Sequence, residues 1–102
     1  ARMDLKEKAR QLPEVPGVYL MKDFHGDILY VGKAKSLKNR VGQYFQSSSR
    51  HARKIIRMVE GIRDFDFILA DTELEALLLE CRLIKDLKPM YNSQLKNPQR
   101  YC

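Results

Sequence analysis

Gly17-Val18-Tyr19 and Tyr30-Val31-Gly32, with Lys33-Ala34-Lys35-Ser36-Leu37-Lys38-Asn39-Arg40 directly behind them, form the stretch whose reading decides the fold. Asp23-Phe24-His25-Gly26 lies between the two triads and carries turn chemistry, because Gly26 is free to take a positive φ. Gly17–Lys22 and Asp27–Gly32 read as strands on either side of that turn. The spacing therefore predicts a β-hairpin. Two tyrosines, a glycine and a dense set of cations follow one another within about two dozen residues, a set suited to phosphodiester chemistry more than to a folding core.

Outward from the hairpin, residues 4–11 read as a short helix that Pro13 and Pro16 bring to an end. Ser36 is an N-cap for a helix reaching about Phe45, with Leu37, Val41, Tyr44 and Phe45 at i, i+4, i+7 and i+8. Ser47-Ser48-Ser49 is a loop leading to a second helix, whose apolar face holds Ala52, Ile55, Ile56 and Val59 and which stops at Gly61. Asp64–Ala70 alternates Phe65, Phe67 and Leu69 with Asp66 and Ile68, predicting a third strand with one strongly apolar face. Thr72-Glu73-Leu74-Glu75 is a capping box opening a helix to about Leu87, just before Pro89. The residues from Met90 onward show no periodicity. The elements imply an α+β fold, a small three-stranded antiparallel sheet flanked by helices. The 102 residues are expected to form one domain, excised from a longer protein.

The net charge is +6, and its distribution is uneven. Lys33, Lys35, Lys38, Arg40, Arg50, Arg53, Lys54 and Arg57 lie between Lys33 and Val59 with no acidic residue among them. These are eight of the 19 lysines and arginines, so the other 11 face all 13 acids and the whole excess sits in one segment. A solvated helix face usually mixes signs. A field of one sign attracts a polyanion, and nucleic acid is the expected partner. Lys35, Lys38, Arg50, Arg53, Lys54 and Arg57 are the candidate nucleic-acid contacts, made to phosphates rather than base edges. No run of 18 apolar residues and no leader pattern is present, so no membrane association is expected. Two cysteines, Cys81 and Cys102, are too few for a disulfide framework and fit reduced thiols in a cytoplasmic, monomeric protein.

Glu80 stands out within the long helix. Its neighbours at i−4, i−3, i+3 and i+4 are Ala76, Leu77, Leu83 and Ile84, so it is aimed at the packed side. A carboxylate there is costly unless it is paired or binds a cation. A structural ion pair and a metal ligand are even readings of Glu80 alone; the tyrosines and the cationic segment favour the metal. One carboxylate suits Mg2+, which keeps most of its waters and takes phosphate oxygens. Taken singly, Tyr19 and Tyr30 are ordinary strand aromatics, Gly32 ends a strand, Arg40 belongs to a solvated face, Tyr44 to the core and Tyr91-Asn92 to a turn. Their combination is the argument for a site.

In order and spacing, the two triads, Lys33–Arg40, Glu75–Glu80 and Lys88-Pro89-Met90-Tyr91-Asn92 resemble the GIY-YIG nucleases. The likeness covers roughly residues 12–96 and is nearest to the N-terminal endonuclease domains of the UvrC branch, or to their shorter Cho-like relatives. The resemblance implies a divalent-metal-dependent endonuclease that cuts one DNA phosphodiester during nucleotide excision repair, on the 3′ side of a lesion. It implies one Mg2+ or Mn2+ ion held by Glu80, damaged duplex DNA as substrate, and a UvrA–UvrB-type complex as partner. It places Tyr30 as general base, Tyr19 and Tyr44 in the site, Lys33 beside the reacting tyrosine, Arg40 on phosphate charge, Asn92 as a closing residue, and Gly17 and Gly32 as signature glycines.

The chemistry sets its own demands. Tyrosine has a reference pKa near 10, so full ionisation at pH 7 requires a depression of roughly three units, about 4 kcal/mol. Nearby cations supply part of it, and a small ionised fraction suffices for a general base. Two other classes fit the charge pattern: a nucleic-acid-binding module without nuclease activity, and a docking domain of a larger repair assembly. Metal-dependent nicking separates the first reading from both.

Overall fold

The structure, a computed structural model, describes residues 4–46 and 53–95. Helix α1 (Leu5–Arg10) leads into a hairpin of β1 (Gly17–Lys22) and β2 (Ile28–Ala34). Helices α2 (Leu37–Tyr44) and α3 (Arg53–Gly61), strand β3 (Asp64–Leu69), and helices α4 (Glu73–Leu87) and α5 (Met90–Leu95) complete the order. The local signals act as the sequence predicts. Gly26 takes φ 87° in the hairpin turn. Asp23 Oδ1 accepts from His25 N and Asp27 N there, at 2.8 and 3.0 Å. The Ser36 and Thr72 hydroxyls cap α2 and α4 by accepting from Asn39 N and Glu75 N.

The three strands form one antiparallel sheet in the order β2-β1-β3. Tyr19 pairs with Gly32 and with Phe67, and Met21 with Tyr30 and Phe65. Alternation then sorts the side chains onto two faces. Tyr19, Met21, Tyr30 and Phe65 pack beneath α1, α2 and α3 with Leu12, Leu37, Val41, Tyr44, Met58 and Ile62. Val18, Leu20 and Val31 pack against Ala76, Leu79, Leu83 and Ile84 of α4. The result is the expected small sheet between helices.

Four details differ from expectation. On β3 only Phe65 is buried, stacked at 6.0 Å on Phe45, whereas Phe67 and Leu69 are 40% and 55% exposed. β3 is an edge strand, and the helices on that face cover only its Phe65 end. On α3 the fully buried residue is Met58, with Ile55, Ile56 and Val59 half-buried; Ala52 lies outside the described residues. Of the residues read as lacking periodicity, Met90–Leu95 form α5, which packs on β2 and α3. Lys88, at φ 46°, makes the bend between α4 and α5. Finally, Cys81 is disulfide-bonded rather than reduced. No helix among the described residues is long and apolar enough to cross a membrane.

Candidate active site

The two signature glycines are required by close approach. A Cβ on Gly32 would collide with Cζ and Oη of Tyr19, whose ring lies over the opposite strand at that point. A Cβ on Gly17 would stand 2.5 Å from Ile68 O and 2.6 Å from Leu37 Cδ1. Gly17 thus lets β3 and α2 close on β1, and Gly32 lets the Tyr19 phenol lie flat across the sheet.

That phenol is the centre of an aromatic cluster. The Tyr19 and Tyr44 hydroxyls hydrogen-bond at 2.8 Å, and their rings are 5.6 Å apart. The Tyr30 ring is 6.2 Å from Tyr19. All three tyrosines are buried. Arg40, exposed on α2, holds its guanidinium 5.9 Å over the Tyr44 ring. Burial pushes the Tyr19 phenol well above the usual tyrosine pKa, the neighbouring phenols add to the rise, and the Arg40 charge only partly opposes it. The raised pKa favours the protonated Tyr19 phenol, which can donate a hydrogen bond.

The outer edge of β2 carries the second half of the site. β2 has β1 on one side only, so the backbone groups of alternate residues point outward. Asn92 of α5 takes both groups of Val31: Nδ2 donates to Val31 O at 2.8 Å, and Oδ1 accepts from Val31 N at 2.9 Å. Two residues on, Lys33 N donates to Glu80 Oε2 at 2.9 Å. The side chains of α5 and α4 thus replace a fourth strand. Asn92 is 5% exposed with its amide committed to backbone. It positions the strand between Tyr30 and Lys33, where the resemblance implied a group among the catalytic residues.

Glu80 is completely buried, as its apolar neighbours require. Among the described residues no three His, Cys, Asp or Glu side chains gather into a metal cage. The donor set at Glu80 is thus one hard carboxylate, which fits a magnesium-like cation that draws its other ligands from water and phosphate.

The structure therefore brings Tyr19, Tyr30, Tyr44 and Arg40 together, and ties Glu80 and Asn92 to the strand that carries Tyr30. Lys33 is half-buried at the end of that strand. The described nucleic-acid candidates are distributed over the residue after β2 and helices α2 and α3. Lys35 is exposed after β2, Lys38 half-buried on α2, and Arg53, Lys54 and Arg57 exposed on α3; Arg50 lies outside the described residues. Sequence reasoning passed over Asn39, Gln43 and Gln46, which line a cleft together with Lys38. Their i, i+4, i+7 spacing was the available signal.

Comparison with known proteins bears on the family and the fold. The profile of the UvrC-like GIY-YIG domain matches residues 15–93. UvrABC system protein C of Caldanaerobacter subterraneus subsp. tengcongensis is 59% identical over 97% of this chain. The protein of the same name from Clostridium botulinum strain Hall is 54% identical over 96%. The chain spans 16% of the length of these relatives. Among solved structures, the GIY-YIG N-terminal endonuclease domain of UvrC from Thermotoga maritima, bound to its catalytic magnesium ion, superposes with a TM-score of 0.78 at 36% identity. That match covers 90% of this chain and 99% of the other. From the profile, the relatives and the shared architecture, the chain belongs to the UvrC-like GIY-YIG endonuclease domain family.

Proposed function

We propose that this domain is a divalent-metal-dependent DNA endonuclease that hydrolyses one phosphodiester during nucleotide excision repair. The observation that carries the reading is a wholly buried carboxylate, Glu80, anchored to the strand whose Tyr30 joins two further tyrosines and an arginine. Tyr30 is the general base and takes a proton from the attacking water. Arg40 binds the phosphoryl oxygens and meets the charge that grows on them. Tyr19, protonated, and Tyr44 hold each other by their hydroxyl pair and fix the wall on which Tyr30 lies. Lys33 adds positive potential beside Tyr30, favouring its phenolate. Glu80 would hold one Mg2+ or Mn2+ ion, which would supply Lewis-acid stabilisation of the phosphoryl and leaving oxygens. Asn92 and the Glu80–Lys33 bond keep β2 in register while this occurs.

The relatives named UvrABC system protein C support a wider setting. In it the domain works as a cytoplasmic monomeric unit of a longer polypeptide, with UvrA- and UvrB-type partners, on damaged duplex DNA, cutting 3′ to the lesion. Lys35, Lys38, Arg50, Arg53, Lys54 and Arg57 hold the duplex by its phosphates.

Glu80→Gln separates metal binding from packing. The amide oxygen can still accept from Lys33 N, so the fold and DNA binding are expected to stay, and metal-dependent nicking to disappear. Tyr30→Phe is expected to slow the chemical step roughly a hundredfold or more. Nicking by Glu80→Gln at the parental rate refutes the metal assignment. DNA binding without nicking by the parent protein, with magnesium and partner proteins present, replaces the nuclease reading by that of a binding module.

A further inference from the structure

A polar cleft of about 410 Å³ runs between α1 and α2, lined by Arg10 from α1, by Lys38, Asn39 and Gln43 from α2 and by Gln46 just past the end of α2. Its volume lies in the range of small-ligand sites, enough for a nucleotide-sized group. Among the described residues no carboxylate lines it; Glu7, which pairs with Arg10 at 3.1 Å, stays outside the lining. Two cations and three primary amides share one concavity, each amide offering a donor and an acceptor.

The cleft is joined to the active site along α2. Residues three and four apart are neighbours on a helix surface. Arg40 and Asn39 are therefore both next to Gln43. At 1.5 Å per residue the step from Arg40 to Gln43 is about 4.5 Å along the axis. The opposite side of the same helix, with Leu37, Val41 and Tyr44, is buried under the tyrosine cluster. One helix thus carries the phosphate-binding arginine on the border between a packed face and a polar trough.

We propose that the α1–α2 cleft is a subsite for the DNA strand flanking the scissile phosphate. Lys38 and Arg10 take phosphate oxygens. Asn39, Gln43 and Gln46 bond the sugar and base edge of the one or two nucleotides beside the phosphate held by Arg40. The assignment rests on the nuclease reading above and adds base-edge chemistry to a segment expected to meet phosphates alone.

Three variants test it, each checked for folding by thermal melting. DNA binding is read by fluorescence anisotropy of a labelled duplex over a salt series, and nicking by steady-state kinetics. Asn39→Ala with Gln43→Ala removes neutral hydrogen bonds only. Binding should weaken roughly tenfold, two bonds of ordinary net strength, with the salt slope unchanged. Lys38→Ala should instead lower the slope of log affinity against log salt by about 0.9, one phosphate contact on duplex DNA. Gly42→Leu fills the cleft, since a Cβ at Gly42 meets nothing within 4 Å. It should raise KM several-fold with little change in kcat. Parental affinity, salt slope and KM in all three variants, with a parent that binds and nicks DNA, overturn the subsite and leave the nuclease reading standing. A parent that neither binds nor nicks DNA overturns the nuclease reading, and the subsite with it. Tighter binding to RNA of the same sequence also overturns the assignment to DNA.

Discussion

Replacing Asn92 by alanine should do far more damage than its position in a six-residue helix suggests. Val31 is fully buried and Asn92 nearly so, and the amide makes two hydrogen bonds to Val31, at 2.8 and 2.9 Å. Alanine leaves a buried backbone N–H and a buried C=O without partners, at about 1–3 kcal/mol each. The loss is then roughly 2–6 kcal/mol, against a total of about 5–15 kcal/mol for a domain of this kind. Even the lower figure lowers the melting temperature by about 10 °C at this size. Asn92→Asp is the sharper control. It keeps the shape and the acceptor for Val31 N, but sets a carboxylate against Val31 O. Its buried acid should therefore have a raised pKa. The lost stability returns as pH falls below about 4, where a protonated acid donates again, and disappears as pH rises through the raised value. Urea unfolding followed by circular dichroism from pH 3 to 8, with nicking measured per folded molecule, reads both effects. An alanine variant melting within a degree or two of the parent would show that α5 does not hold β2, and the account of Asn92 as a positioning residue would be wrong.

Other consequences can be checked with the same tools. Gly32→Ala should drive the Tyr19 phenol off the sheet and break its bond to Tyr44, costing about 1–3 kcal/mol and most of the cleavage while DNA binding through α3 remains; unchanged melting and nicking count against the close approach. Because burial raises the Tyr19 pKa above 10.0, the stability tied to its protonated form is complete below that pH and is lost as pH rises towards the folded value. The parent's melting temperature should therefore fall more steeply than that of Tyr19→Phe above about pH 10, and superimposable curves refute the shift. Replacing exposed Arg53, Lys54 and Arg57 together by alanine should flatten the salt dependence of DNA binding by up to about 0.9 per lost contact, alike for all sequences. Arg40→Ala should cut the rate more than the affinity, and the reverse ranking moves Arg40 out of the transition state.

Much of this molecule is written in short windows of sequence. The Asp23–Gly26 turn, the Ser36 and Thr72 caps and the proline stops each depend on residues within four positions of one another, and each forms where the sequence places it. The apolar surroundings of Glu80 foretold its burial for the same reason, since a helix brings i±3 and i±4 together. What the windows could not contain was decided by contacts between distant residues. Asn92 meets Val31 across 61 positions, and Glu80 meets Lys33 across 47. Helix α5 is too short for a periodic signal or for stability alone, so its existence rests on packing against β2. The order β2-β1-β3 made β3 an edge and left Phe67 and Leu69 exposed although their alternation reads as core. The need for glycine at position 32 comes from the Tyr19 ring on the neighbouring strand, and the cleft beside Lys38 from α1 lying along α2. Sequence alone determined the elements up to Leu87 and the residue types of the site. Tertiary structure decided which of those residues gather around the Tyr19 phenol and which hold the strand, because the second group is set by the backbone groups the sheet leaves unpaired.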